Sequence, residues 1–483
     1  MSTPIPANEA PFSIWEVAAI AGGRVTGSVE RTTRAVGVTS DSRAVRAGVA
    51  FVALVGERFD GHRFVQSAWD AGAAFAIVSQ PVGDGPQVLV TDTLEALGAL
   101  ASAHLERWRR AEGRKRTAVV TGSAGKTTTK EILAALLGVR HATWKTPGNL
   151  NNRIGLPMVA LAARSDHDAL VLEAGMSLRG EIAQLAAIAR ADVAIISSIG
   201  LAHAEGVGGA LSDVAREKGD IVRALAPHGV AVLHADDPVS MAQAAGARCG
   251  HVRTFGRSDE AHVRLVDRRI TALDGATLTI VRAGTDATPF VLDVPFAGEA
   301  QALDLCAAIA AADAMLDAAL QPEELRAGLQ NLTPLEGRGR VLRSESGAIV
   351  LDDCYNANPE SVSRSLELAR ELASQRALRP RVLLGAMKEL GEASAEAHRR
   401  VIAKAIDLGF ASILGSGAEI DDAIAAHPAH LSLCACGSVE GAIAQLRGAL
   451  SSEDLLLVKG SRSVGLERVL DALHAVPLTS DTT

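Results

Sequence analysis

The stretch Val119-Val120-Thr121-Gly122-Ser123-Ala124-Gly125-Lys126-Thr127-Thr128-Thr129 carries the most specific chemistry in the chain. Gly122 and Gly125 let the backbone turn back on itself, so that successive N–H groups point inward at an anion. Lys126 then offers an ammonium to the outer phosphates, and the Thr127 hydroxyl is placed to hold Mg²⁺. The expected nucleotide contacts are Gly122, Ser123, Ala124, Gly125, Lys126, Thr127 and Thr128. Such a loop needs a strand behind it and a helix N-terminus ahead of it. Both are written in the sequence: Ala118, Val119 and Val120 precede it, and Ile132, Leu133, Leu136 and Leu137 share one side of the following helix. Val120 stands where the usual pattern has its first glycine. The stretch reads as a nucleoside triphosphate site.

Other polar residues gather at the ends of predicted strands, where a parallel sheet places its ligands. Thr146–Asn152 holds Asn149, Asn151 and Asn152, whose amides suit sugar hydroxyls, phosphates or carbonyls, although asparagine-rich turns also arise for local reasons. Glu173 closes the strand Asp168–Glu173 and is placed to be a Mg²⁺ ligand near Thr127; a solvated strand-end carboxylate is the plainer alternative. His203 follows the strand Val193–Ser197, where an imidazole can ligate a metal or orient a phosphate. Lys218, on a predicted helix Asp213–Ala224, is by residue type one polar helix residue among several. Asp352-Asp353-Cys354-Tyr355-Asn356-Ala357-Asn358-Pro359 ends another strand before a helix capped near Ser361, and contains the only tyrosine of the chain. Lys459-Gly460-Ser461-Arg462-Ser463 is a basic loop at a helix start, suited to an anionic group. Nearer the N-terminus, Ser40–Arg43 and Asp60–His62 each read first as a turn with a helix cap.

The elements that would position these groups fall into three units. Residues 1–113 alternate short strands (Ala50–Leu54, Ala74–Val78, Val88–Val90) with helices, the last over Thr93–Arg110. Residues 114–334 alternate strands and helices after the phosphate loop, which predicts a mostly parallel sheet covered on both faces. Val230–Ala297 is strand-rich without obvious chemistry, and a helix over Ala300–Leu316 follows. Residues 335–483 repeat the alternation, with strands at Ala348–Leu351, Val382–Leu384, Ser412–Leu414 and Leu455–Val458. The fold class is α/β, with a central P-loop parallel-sheet ATPase domain and a C-terminal Rossmann-like domain.

Bulk composition agrees with this. A chain of 483 residues is too long for one core. With aromatics at 3%, its cores must be filled by Leu, Val, Ile and Ala. The net charge of −8 and the lack of a basic stripe argue against general nucleic-acid binding, so a polyanionic substrate must be held by local cations. The five cysteines are odd in number and lack zinc spacing. Cys434-Ala435-Cys436 is expected to be a buried strand rather than a metal site. Free thiols, no evident signal peptide and no membrane-spanning run predict a cytoplasmic protein.

The combined motifs resemble those of the Mur ligases, ATP-dependent amide-bond-forming enzymes of cell-wall precursor synthesis. The resemblance extends from Ser40–Arg43 to Lys459–Ser463. The Thr-Gly-Ser-x-Gly-Lys-Thr-Thr form of the loop is that family's variant, which accounts for Val120. Within the family, Gly148–Asn152 followed by Ile154-Gly155-Leu156-Pro157, and above all Asp352–Pro359, resemble the branch that adds D-alanyl-D-alanine to UDP-N-acetylmuramoyl-tripeptide through an acyl phosphate. The Asp-Asn-Pro-Arg motif of the branch adding the third residue is absent. The resemblance implies catalytic roles for Lys126, Glu173, His203 and Lys218, and metal ligation by Thr127, Glu173, His203 and Lys218, the last as a carbamate. Asp353 would approach the nucleotide ribose, and Arg338 would reach the phosphates. Ser42, Arg43, Asp60 and His62 would hold the UDP-sugar, and Asn149, Asn151 and Asn152 would also meet substrate. Asn356, Asn358, Lys459 and Ser461 would lie near the incoming dipeptide. ATP and Mg²⁺ are the implied cofactors, and a monomer is expected.

Three departures from the family pattern stand out. Gly298-Glu299-Ala300-Gln301-Ala302-Leu303-Asp304 replaces Gly-x-His-Asn-x-x-Asn, which touches the expected adenine contacts. Gly385-Ala386-Met387 replaces Gly-Asp-Met, and Cys354 stands where serine is common. The alternatives are a ligase of different substrate, such as a folate polyglutamylase, and a non-catalytic nucleotide switch. All of these expectations require the phosphate loop to face the Tyr355 edge of the last unit across one cleft.

Overall fold

A computed structural model describes residues 3–478 apart from 58, 285–287, 331, 333, 428–429 and 431. Its largest sheet has nine strands and is built around Arg116–Thr121, the strand that feeds the phosphate loop. That strand pairs in parallel with Ala169–Glu173 on one side and Val193–Ile196 on the other. Val119 and Val120 point to opposite faces, as successive strand residues must. Val120 joins Ile132, Leu133 and the alanine-rich helix Glu299–Met315 in one core. Val119 joins Leu172, Ile182, Ala194 and Ile221 in the other. The two-sided apolar strand thus sits at the centre of a three-layer sandwich, and the loop at its C-terminal end lines a large cleft.

The expected mostly parallel order holds from Thr143–Lys145 through His251–Gly256 and into Val263–Ala272. Beyond it, Val263–Ala272, Gly275–Arg282 and Phe290–Val294 form an antiparallel meander, which the strand-rich reading of Val230–Ala297 did not specify. Alternating burial along Gly275–Arg282 is the signature of a sheet buried on one face only.

The N-terminal sheet runs Arg24–Thr26, Gln87–Leu89, Phe75–Val78, Ala50–Val52 and Val38–Thr39. The C-terminal sheet has seven strands, with Ile349–Asp353 and Arg379–Gly385 both parallel to and flanking Asp454–Lys459. An antiparallel strand Arg340–Arg343 precedes Ile349–Asp353, so the last unit begins one strand earlier than its apolar runs indicate. Asp352 and Asp353 are the final residues of their strand rather than part of the following loop. The helix after them is capped by Asn358, whose side chain accepts the Ser361 N–H, with Pro359 in the first turn; the expected cap at Ser361 is displaced by one turn. Cys434 lies on the edge strand Leu433–Ala435 and Cys436 just beyond it; both are only half-buried, which corrects the expected buried strand. Among the described residues, no helix is long and apolar enough to cross a membrane.

Candidate active site

The phosphate loop leaves the strand at Thr121 and re-enters helical geometry at Lys126. Gly125 has φ +81°, and a Cβ there would stand 2.2 Å from the Asp304 carboxyl, so only glycine fits on both counts. The loop is braced from the next strand end. Ser198 Oγ accepts the Ala124 N–H at 2.9 Å, and the Ser123 hydroxyl donates to the Gly200 carbonyl at 2.7 Å. The first-turn N–H groups of Lys126–Thr128 have no intrahelical acceptor and face a cleft of about 840 Å³. This is an anion cradle at a helix N-terminus.

Glu173 ends its strand in register with Val120 and is buried. Its carboxylate accepts the Thr127 hydroxyl at 3.0 Å and the Asn151 amide at 2.7 Å. Lys130, one helical turn beyond Lys126, is fully buried; it donates to the carbonyls of Thr146 and Gly148 at 2.8 and 3.0 Å and stands 3.6 Å from Glu173. It therefore pins the asparagine loop to the phosphate-loop helix, a role that residue type alone did not reveal. Asn149, Asn151 and Asn152 all line the cleft. Asn152 also accepts the N–H groups of Ile154 and Gly155, which starts the next helix. The Thr127 hydroxyl and Glu173 carboxylate are hard oxygen donors converging at the cradle, which fits Mg²⁺.

Lys126 and Lys218 converge on one atom: both donate to the Gly122 carbonyl, at 2.7 and 3.1 Å. Burial depresses the Lys126 amine below the usual lysine range, against the opposing pull of Glu173. Burial, followed by the like charge of Lys126, holds Lys218 well below it. Burial and then the two lysines also lower His203. The four expected metal ligands do not converge. Thr127 and Glu173 meet, whereas the His203 imidazole turns to Glu389 and the Lys218 amine to Gly122. Among the described residues, no three His, Cys, Asp or Glu side chains form a metal-sized group.

The C-terminal unit closes the other side of the cleft. Asn358 donates from its amide to the Ser123 carbonyl at 3.2 Å, a buried contact that joins the last unit directly to the phosphate loop. Asn358 therefore uses one donor of its amide on the loop while still lining the cleft. Asp353 is held by Lys459 at 2.8 Å and by the Ser365 hydroxyl at 2.5 Å; Lys459 also donates to the Asn356 carbonyl at 2.9 Å. Ser461 lies behind this group, its hydroxyl accepting the Lys388 N–H at 3.1 Å. The Tyr355 ring lies between two guanidiniums, with Arg338 4.2 Å and Arg462 4.9 Å from its centroid. Arg338, Asp353, Tyr355, Asn356, Asn358 and Lys459 share the cleft with the phosphate loop, as the sequence reading required.

The N-terminal loops are turns with helix caps, as their composition suggests: Asp41 and Asp60 each cap a short helical turn. Asp41 caps a short turn and takes a bidentate hydrogen bond from Arg43, at 2.9 and 2.8 Å. His62 is buried with both ring nitrogens engaged: Nδ1 pairs with Asp60 at 2.7 Å, and Nε2 accepts the Ser79 N–H at 2.9 Å. His62 thus ties two strand ends together through both ring nitrogens. Ser42, Arg43, Asp60 and His62 do not line the large cleft; they sit past the C-terminal ends of Val38–Thr39 and Ala50–Val52 in the first sheet.

Asp304 is the departure with the clearest structural consequence. Buried beside Gly125, it accepts the Thr129 hydroxyl at 3.2 Å. Burial raises its carboxyl to about 8, against the weaker opposing influence of Arg364, Thr129 and Arg338. The group is therefore neutral at pH 7 and, like an asparagine amide, able to donate a hydrogen bond. The folded state keeps this proton where the unfolded chain, with an ordinary carboxyl near 3.8, has lost it. Its contribution to stability is full below that lower value and falls as pH rises toward about 8. Asp304→Asn removes this slope, so the variant gains on the native chain across that window. Denaturant unfolding from pH 5 to 9 tests this; parallel curves for the two proteins would contradict it.

The chain matches three family models along its length: residues 34–105 the Mur ligase family catalytic domain, 120–312 the Mur ligase middle domain, and 337–462 the Mur ligase glutamate ligase domain. It is 33% identical to the UDP-N-acetylmuramoyl-tripeptide–D-alanyl-D-alanine ligase of Escherichia coli (strain K12), over 90% of this chain and 93% of that one. A crystal structure of MurF from Acinetobacter baumannii superposes with a TM-score of 0.86 at 28% identity, covering 96% of this chain and 98% of that one. The MurF ligase of Thermotoga maritima in complex with ADP superposes with a TM-score of 0.79 at 29% identity, covering 90% and 96%.

Proposed function

The chain belongs to the Mur ligase family, and from that premise we propose that it performs the reaction of its full-length relatives. It is the ATP-dependent ligase that joins D-alanyl-D-alanine to UDP-N-acetylmuramoyl-tripeptide, giving the pentapeptide precursor of peptidoglycan. A terminal carboxylate oxygen of the tripeptide attacks the γ-phosphorus of ATP, and ADP leaves. The dipeptide amine then attacks the acyl carbon, loses a proton, and expels phosphate as the amide forms. The observation that carries this reading is the shared cleft, where the phosphate loop and the Asp353–Asn358 segment meet through Asn358 and Ser123.

The residue roles follow from charge and position. The cradle N–H groups and Lys126 hold the β- and γ-phosphates, and Arg338 adds a cation from the opposite wall. Two anions, carboxylate and triphosphate, must approach each other, which is the task these cations perform. Mg²⁺, held by Thr127 and Glu173, supplies further neutralisation of the phosphates when bound. A carbamate on Lys218 would give that side of the site a carboxylate-like charge. Asp353, positioned by Lys459 and Ser365, is the acceptor offered to the ribose. Closing the third unit over the loop excludes water from the acyl phosphate. The five free thiols support action in the cytoplasm.

The test is the product mass after incubation with UDP-tripeptide and ATP. D-Ala-D-Ala is expected to be joined with loss of water, whereas glutamate or a diamino acid gives no product and no acceptor-dependent ADP. Reaction with glutamate alone would overturn the assignment.

A further inference from the structure

His203 and Glu389 are paired across the boundary between the central and C-terminal units, and neither backbone is relaxed. His203 Nδ1 contacts the Glu389 carboxylate. The two residues have φ +58° and +63°, the left-handed region that L side chains rarely occupy. A second contact lies beside it, where the Glu205 N–H donates to the Glu389 carbonyl at 3.4 Å. Gly391, two residues on, lies beside Glu205, where a Cβ would make ordinary contact at 3.4 Å with its side chain. Two strained single residues facing each other, with their neighbours docked, mark a contact that the surrounding structure enforces.

The pairing has a chemical direction. A carboxylate at Nδ1 accepts the Nδ1–H hydrogen bond and so favours the tautomer whose Nε2 carries a lone pair. His203 lines the cleft that also holds the phosphate loop. Glu389 is in turn connected to the rear of the last unit, because the Lys388 N–H donates to Ser461 Oγ at 3.1 Å and Lys388 Nζ pairs with Glu419. The loop bearing Lys459 and Ser461 is thereby linked through Lys388 and Glu389 to an imidazole of the central unit.

We propose that Glu389 is a positioning residue that fixes the tautomer and orientation of His203, and does so only while the C-terminal unit is seated on the central one. The reactive arrangement of His203 is then assembled by closure, which keeps an open, ATP-loaded enzyme from spending the nucleotide on water. This deepens the ligase reading and rests on it for the kinetic arm of the test alone.

Glu389→Ala is expected to lower kcat by roughly tenfold to a hundredfold, the usual cost of losing a carboxylate behind a functional histidine, while the KM for ATP stays within about twofold. Glu389→Gln, which keeps the reach and an acceptor oxygen, restores most of the rate. In a His203→Ala background, Glu389→Ala has no further effect, because its action runs through the imidazole. Amide exchange over residues 201–208 of the free, substrate-less protein rises in Glu389→Ala and not in Glu389→Gln. Multiplying losses in the double variant, a Gln variant as impaired as Ala, or unchanged exchange over 201–208 would each overturn the proposal. The exchange arm needs no substrate, so it stands or falls apart from the ligase reading.

Discussion

Replacing Lys126 by Ala is expected to abolish ATP turnover while leaving the protein folded. Lys126 is half-buried at the base of the cradle, and its ammonium donates to the Gly122 carbonyl. Its own desolvation disfavours the charged form, so the native site carries that cost where a triphosphate would repay it. Removing one preorganised donor from a water-poor site of developing negative charge typically lowers the rate by about 10²–10³-fold. Lys126 combines that role with a full charge, so a loss at or beyond the upper end is expected. The remaining lysine on Gly122, Lys218, still satisfies the carbonyl, so thermal unfolding of the variant should match the native protein. Acceptor-dependent ADP release and calorimetric ATP binding are the measurements. Near-native ligation by Lys126→Ala would remove the loop from the reaction.

The second large effect concerns Lys218 and carbon dioxide. Carbamylation needs a neutral amine, whose lone pair attacks CO₂ and which then gives up a proton. Burial and the adjacent Lys126 favour that form over the ammonium. The product replaces one of two crowded positive charges with a negative one, turning repulsion by Lys126 into attraction. Native activity is therefore expected to fall in CO₂-depleted buffer and to return when bicarbonate is added. Lys218→Ala should lose at least about 10²-fold in ligation, on the scale of other charge-stabilising groups, and should not respond to bicarbonate. Full activity of Lys218→Ala, or of the native enzyme without CO₂, would eliminate the modification.

The contrast between these two lysines shows what a sequence can carry. Lys126 is legible because its chemistry is contiguous: strand, two glycines, lysine and hydroxyl follow one another, and local geometry does the rest. Lys218 belongs to a helix whose spacing says only that one face is buried; its meaning comes from Gly122, far away in the chain. Lys130 had a local signal, one helical turn from Lys126 on the same face, but its partners at Thr146 and Gly148 are tertiary. The parallel core of each large sheet was readable from short apolar runs ending in polar residues. The antiparallel meander after His251–Gly256 was not, because half-buried strands of either direction alternate alike. The cap at Asp60 was legible from its own turn, whereas the Ser79 N–H on the second ring nitrogen of His62 is a tertiary contact that no spacing encodes. Asp304 was visible as a departure, but whether it is a charge or a neutral donor depends on burial that no spacing encodes.

The amide of Asn358 resting on the Ser123 carbonyl has a pharmacological corollary. These two partners belong to different bodies, and a small molecule inserted between them would prop the jaws apart without imitating nucleotide, sugar or peptide. Such a wedge would lie beside the phosphate loop, and resistance to it by change of Asn358 would come at the expense of the seam that its amide forms.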